Sequence, residues 1–163
     1  SAFLKDTTDV YNINFQTERS LRIKIEVDTN PPLSFATEQR LMVQPYSFMV
    51  QCMTLPCLFA GKMHALVYRQ WKNRVKGRDW YDFEWYVRWN HPLNWVHLHE
   101  RIVEFSGKEC TKAEFLELLH HRLATTDINQ VKADVLPFVH HPQELDIWSN
   151  DYFLQLAQRI RWE

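Results

Sequence analysis

The chain has 163 residues, 45% of them hydrophobic and 24% charged, and a formal net charge of −1. That length suits one compact domain or two small ones. Near-neutral charge excludes a general nucleic-acid-binding surface and leaves room for a local basic pocket, while only three Gly disfavour a Gly-rich phosphate loop or a turn-rich all-β fold.

In chain order, Ser20 to Asp28 alternates. Leu21, Ile23, Ile25 and Val27 point one way, and Arg22, Lys24, Glu26 and Asp28 the other, which predicts a strand. Asn30-Pro31-Pro32 stops it. Short strands follow at Leu41–Val43 and Phe48–Met53. After Pro56 the period becomes helical, with Leu58, Lys62, Leu66 and Arg69 on one spacing and Phe59, Met63 and Val67 beside it. This helix is expected to end before Gly77 as its C-terminal cap. A second is expected to start with Asp79 as N-cap and to stop near Asn90-His91-Pro92. A third runs from the Pro92–Asn94 turn through Val103. Thr111-x-x-Glu114 forms a capping box for the next. Asp127 caps Ile128 to Val135, and Ser149 or Asn150 opens a last amphipathic helix.

The polar residues concentrate at Lys62, Arg69 and Arg78-Asp79-x-Tyr81-Asp82. Lys62 and Arg69 are nearly two helical turns apart and share a face. Cations not alternated with carboxylates suit phosphate oxygens; a solvated basic stripe explains the spacing as well. Capping and helix-dipole effects account for Asp79 and Asp82. A functional role needs one of them to face back towards Lys62, as a metal ligand, a nucleotide-orienting group or a salt-bridge anchor. Arg78 either pairs with such a carboxylate or braces the turn. Trp80 and Tyr81 read as core or stacking surfaces. On the strand, Glu26 and Asp28 share a face with Lys24. That face is either solvent-exposed or a source of Mg²⁺ ligands, since Mg²⁺ sites take one or two carboxylates plus phosphate.

The eight His offer no zinc signature: His97-x-His99, His120-His121 and His140-His141 diverge on regular elements, and no His-Glu-x-x-His occurs. His64 lies close to Lys62 in sequence but off its helical face. Ser47 and Cys57 lack a nucleophile elbow or triad. Cys52, Cys57 and Cys110 lack metal-ligand spacing and read as reduced thiols. With no apolar run long enough to span a membrane and no signal-peptide pattern, a cytoplasmic protein is expected.

Arg22 to Asp28, then Gly61-Lys62 with Ala65-Leu66 and Arg69, then Arg78-Asp79-x-Tyr81-Asp82 resemble the AbiEii/AbiGii-type nucleotidyltransferase toxins of bacterial toxin–antitoxin pairs. The resemblance implies an α+β fold, with a partial nucleotidyltransferase-like sheet over residues 1–55 and a helical region over 56–163. It implies transfer of a nucleotide from a nucleoside triphosphate, with Mg²⁺, to an RNA such as a tRNA end or to a protein hydroxyl. A cognate antitoxin is the implied partner, and no motif specifies an oligomeric state. Lys62, Asp79, Asp82 and Glu26 take the implied catalytic roles. Lys24, Lys62, Arg69 and Arg78 hold the nucleotide, and Glu26 supports the metal. The sequence departs from the wider polymerase-β-like superfamily in one respect: no Gly-rich turn and acidic pair precede Arg22. The expectation is therefore an incomplete site, from a removed segment or a degenerate homologue. The alternative is a non-catalytic remnant that binds a nucleotide or a protein.

Overall fold

The computed structural model describes residues 2–5, 20–23, 25, 27, 29–70 and 75–163. The fold is α+β, and its contacts divide it into two units, Ser1–Pro31 and Pro32–Glu163. In the first unit, β1 (Ala2–Lys5) pairs antiparallel with β2 (Ser20–Ile23), Ala2 opposite Ile23 and Lys5 opposite Ser20. Sequence alternation predicts neither β1 nor so early an end to β2. Ile25 and Val27 lie outside any strand and are exposed, so they line no buried face. Lys24, Glu26 and Asp28 lie outside the described residues.

The second unit opens with a hairpin of β3 (Thr37–Met42) and β4 (Phe48–Met53), Thr37 opposite Met53 and Met42 opposite Phe48. β3 begins earlier than the apolar residues Leu41–Val43 suggest, because backbone pairing extends through Thr37–Arg40. Among the described residues, six helices follow: α1 (Leu55–Tyr68), α2 (Gly77–Arg88), α3 (Trp95–Ser106), α4 (Lys112–Thr125), α5 (Ile128–Val135) and α6 (Asn150–Ala157). Short 3-10 turns at Leu136–Phe138 and Pro142–Leu145 connect the last two.

Pro56 sits in the first turn of α1, where a missing N–H costs nothing. The helix buries Cys57, Phe59, Ala60, Met63, Leu66 and Val67. It stops at Tyr68, well short of Gly77, because Arg69 turns to extended backbone (φ −63°, ψ 123°). Arg122 of α4 secures that exit by donating to the carbonyls of Val67 (2.7 Å) and Arg69 (3.4 Å). These are the carbonyls a helix end leaves without partners.

Gly77 does not cap α1; it is the first residue of α2. Its N–H donates to Asp134 Oδ2 on α5 at 2.8 Å. A Cβ there would lie 2.3 Å from the Val131 carbonyl oxygen, so only glycine lets the start of α2 meet the α5 backbone. Asp79 consequently falls inside the first turn rather than at the cap, and it is buried.

The other caps follow the sequence. Asn94 accepts from His97 N, Asp127 from Asn129 N and Ser149 from Tyr152 N, while Thr111 and Glu114 form a reciprocal capping box. One core draws on α1 through α6, with Leu98 and Ile102 of α3, Phe115 and Leu119 of α4 and Val131 of α5 buried beside the residues of α1, α2 and α6. Phe59 stacks on Tyr86 at 4.5 Å, and Phe153 meets Trp80 edge-on at 4.8 Å. Glu84, a buried carboxylate, accepts from Trp148 Nε1 (2.9 Å) and Tyr152 Oη (2.6 Å), which satisfies it inside the core.

Candidate functional site

α1 and α2 pack together and set two cations opposite two carboxylates. Lys62 Nζ lies 2.5 Å from Asp82 Oδ2, and Arg69 Nη1 donates to Asp79 Oδ2 at 2.8 Å. The pairs differ in exposure. Lys62 and Asp82 are 43% and 34% exposed, so water competes for both and the pair opens at little cost. Asp79 is 7% exposed while Arg69 keeps 37%, so Asp79 depends on its guanidinium. Burial pushes the Asp79 carboxyl above its ordinary range; Arg69 and Lys62 oppose that shift, and Asp82 adds to it.

These four side chains line a cleft of about 480 Å³, within the size range of small-ligand sites. Lys76 and Arg78 extend its charged side, while Tyr81, Val135, Phe138 and Val139 form the remainder. Four cations against two carboxylates leave the lining with two positive charges in excess. Arg78 lies across the Phe138 ring, 4.9 Å from its centroid. A smaller hollow of about 270 Å³ reaches Lys62, Arg69 and Asp79 from another side, bordered by Gly61, Cys57 and Arg101. Arg101 Nε donates to His97 Nε2 at 3.0 Å. That assigns the ring proton to Nδ1, which faces Ser34 Oγ at 3.5 Å.

The structure thus brings together Lys62, Arg69, Arg78, Asp79 and Asp82, all expected from sequence. Two local expectations change. Lys62 of α1 and Arg69 just past its end are not an open stripe, because each closes on a carboxylate of α2. Asp79 is a buried ion-pair partner and not an N-cap, since packing at Gly77 moves the N-cap to Lys76, three residues earlier. Lys24 and Glu26 lie outside the described residues. His64 turns away from the cleft, stacking on Tyr68 at 5.0 Å and meeting Phe105 edge-on at 5.4 Å. Lys76, Arg101 and Phe138 join the site without a sequence signal. Lys76 reads as an end-of-helix charge, Arg101 has no spacing relation to Lys62, and Phe138 is a lone aromatic after a proline.

Among the described residues, no group of three or more His, Cys, Asp or Glu side chains converges as a metal site. Asp79 and Asp82 are each held by a cation, and a dication entering the cleft would meet Lys62 and Arg69. The described residues therefore do not by themselves fit Mg²⁺. What they fit is a polyanion, whose oxygens can displace Asp82 from Lys62 and share the Arg69 fork with Asp79.

The profile of the family described as "Nucleotidyl transferase AbiEii toxin, Type IV TA system" matches residues 5–156. No curated protein matches the chain, and neither does any solved structure. No helix among the described residues is long and apolar enough to cross a membrane. With nearly its whole length matched, the chain belongs to the nucleotidyltransferase AbiEii toxin family.

Proposed function

We propose, taking that membership as the premise, that the cleft between α1 and α2 holds the phosphates of a nucleoside triphosphate whose nucleotide is transferred to an acceptor hydroxyl. The excess of two positive charges over the two cleft carboxylates carries this reading. Lys62 supplies a mobile ammonium and Arg69 a planar fork for phosphate oxygens. Asp82 keeps Lys62 oriented before the nucleotide arrives and then yields it to the phosphates, whereas Arg69 keeps Nη1 on buried Asp79 and offers the rest of its fork. In the transfer, the acceptor oxygen bonds to the α-phosphorus and its proton passes to solvent water. The bond from that phosphorus to the bridging oxygen breaks, and pyrophosphate leaves. Lys62 and Arg69 are placed to stabilise the charge that accumulates on it.

Glu26 keeps its proposed role as the carboxylate that orients the acceptor hydroxyl or supports the family's divalent ion. The acceptor is an RNA, such as a tRNA end, or a protein hydroxyl, and a cognate antitoxin restrains the activity. A second reading, nucleotide or partner binding without transfer, is favoured by the two cleft carboxylates, each engaged by a cation rather than free to hold a metal.

One experiment separates the two. The chain is incubated with α-labelled nucleoside triphosphates, a divalent ion, and either bulk tRNA or a protein extract as acceptor. The transferase reading expects label in the acid-insoluble fraction and its loss in Lys62→Ala with an unchanged circular dichroism spectrum. Full transfer by Lys62→Ala would remove the role assigned to that residue, and nucleotide binding without transfer would favour the second reading.

A further inference from the structure

We propose that Phe138, with Arg78 laid across its ring, is a stacking platform for the nucleobase of the bound nucleotide; this rests on reading the cleft as a nucleotide site. The cleft is chemically two-sided. Its charged side suits phosphates, whereas the wall of Val135, Phe138 and Val139 offers no charge to a polyanion. Phe138 ends the 3-10 turn that leaves α5, and 58% of it is exposed. A large aromatic left open at a cleft edge presents an apolar face that a flat ligand can cover.

The Arg78 guanidinium, 4.9 Å from the ring centroid, restrains that ring through a cation–π contact. Arg78 immediately precedes Asp79, the residue that holds Arg69 at the phosphate side. One turn of α2 therefore links the aromatic wall to the charged wall. A nucleotide with its phosphates at Lys62 and Arg69 has a purine or pyrimidine ring to place, and of the two aromatic rings lining the cleft, Phe138 and Tyr81, Phe138 is the exposed one. Stacking uses the π-face that every base has, so this wall binds all four bases with little discrimination.

The test is isothermal titration calorimetry on the full chain with the four nucleoside triphosphates and with inorganic tripolyphosphate. Wild type, Phe138→Ala, Phe138→Trp and Lys62→Ala are compared. The exposure of Phe138 makes its variants compatible with folding, and circular dichroism checks this. Phe138→Ala is expected to weaken every nucleotide about tenfold, the range of a single base–aromatic stack. Tripolyphosphate should stay within about twofold of wild type, and Phe138→Trp should restore nucleotide affinity. Unchanged nucleotide affinity in Phe138→Ala, or equal weakening of tripolyphosphate, overturns the platform while leaving the phosphate site standing. If wild type binds neither ligand, or Lys62→Ala weakens neither, both the site and the platform are overturned.

Discussion

Arg69 and Asp79 are ten positions apart in sequence, and their side chains meet at 2.8 Å. The pair joins the end of α1 to the first turn of α2, and its two partners are not equivalent. Asp79 is buried, whereas Arg69 retains access to solvent. Removing the cation strands a buried carboxylate; removing the anion releases a half-exposed guanidinium to water. Arg69→Ala should therefore destabilise by about 2 kcal/mol, less than a fully buried pair because Arg69 is partly solvated. Asp79→Asn should cost about 1 kcal/mol, and the double variant should cost less than the sum. Urea unfolding of the four proteins checks the order; equal losses in the two single variants would contradict it.

Lys62 and Asp82 form the weaker pair. Lys62→Ala should change stability by no more than about 1 kcal/mol, yet it should remove most triphosphate affinity. Binding by the wild-type protein should also fall as salt rises, because the cleft cations attract the ligand across partly solvated distances. Calorimetry at low and high sodium chloride measures this. Affinity indifferent to salt would argue against a charge-driven site.

His64 provides a pH test unrelated to the cleft. Burial first, and Arg101 second, lower its pKa from 6.5 to about 4. Between those values the unfolded chain binds a proton that the folded chain refuses. Stability should therefore be lost as pH falls from about 6.5 towards 4. His64 Nε2 is buried with no hydrogen-bond partner among the described residues, and the ring sits among Tyr68 and Phe105. His64→Phe keeps the ring contacts and removes the unsatisfied nitrogen. The variant should melt higher than wild type at pH 5, with a flatter pH profile. A lower melting temperature at pH 5 would show that the ring nitrogen stabilises the fold.

At Gly77 the contact is with backbone, so no flexible side chain can yield. A Cβ would lie 2.3 Å from the Val131 carbonyl oxygen and 3.2 Å from Val135 Cβ. Gly77→Ala should destabilise by about 2–3 kcal/mol through overpacking. Because it displaces the turn carrying Asp79, it should also weaken triphosphate binding. Differential scanning calorimetry alongside ligand titration checks both effects; an unperturbed melting temperature would contradict the close α2–α5 approach.

What the sequence revealed here was mostly local. Thr111, Asp127 and Ser149 announce helix starts because a cap bonds to backbone only two or three residues away. Helical spacing put Lys62 and Arg69 on one face; both do line the cleft, although Arg69 stands past the end of α1 in extended backbone. The end of α1 and the start of α2 were hidden because Arg122 and Asp134, distant along the chain, determine them. The burial of Asp79 follows from the same packing, so its composition as an apparent N-cap misled. Arg101 and Phe138 reach the site from α3 and from the turn after α5, positions that no periodicity within α1 or α2 encodes. The resemblance carried by Lys62, Arg69 and Arg78-Asp79-x-Tyr81-Asp82 named the family that the profile match shows, whereas the acceptor is written in none of these residues.

The proposed function rests on Lys62 and Arg69 holding the phosphates of a nucleotide. Its most direct measurement is the affinity of one nucleoside triphosphate for wild type and for Lys62→Ala, titrated in the same buffer with folding verified. Saturable one-to-one binding by wild type, weakened about a hundredfold or more in the variant, is the predicted result. Equal affinity in the two folded proteins would contradict the claim.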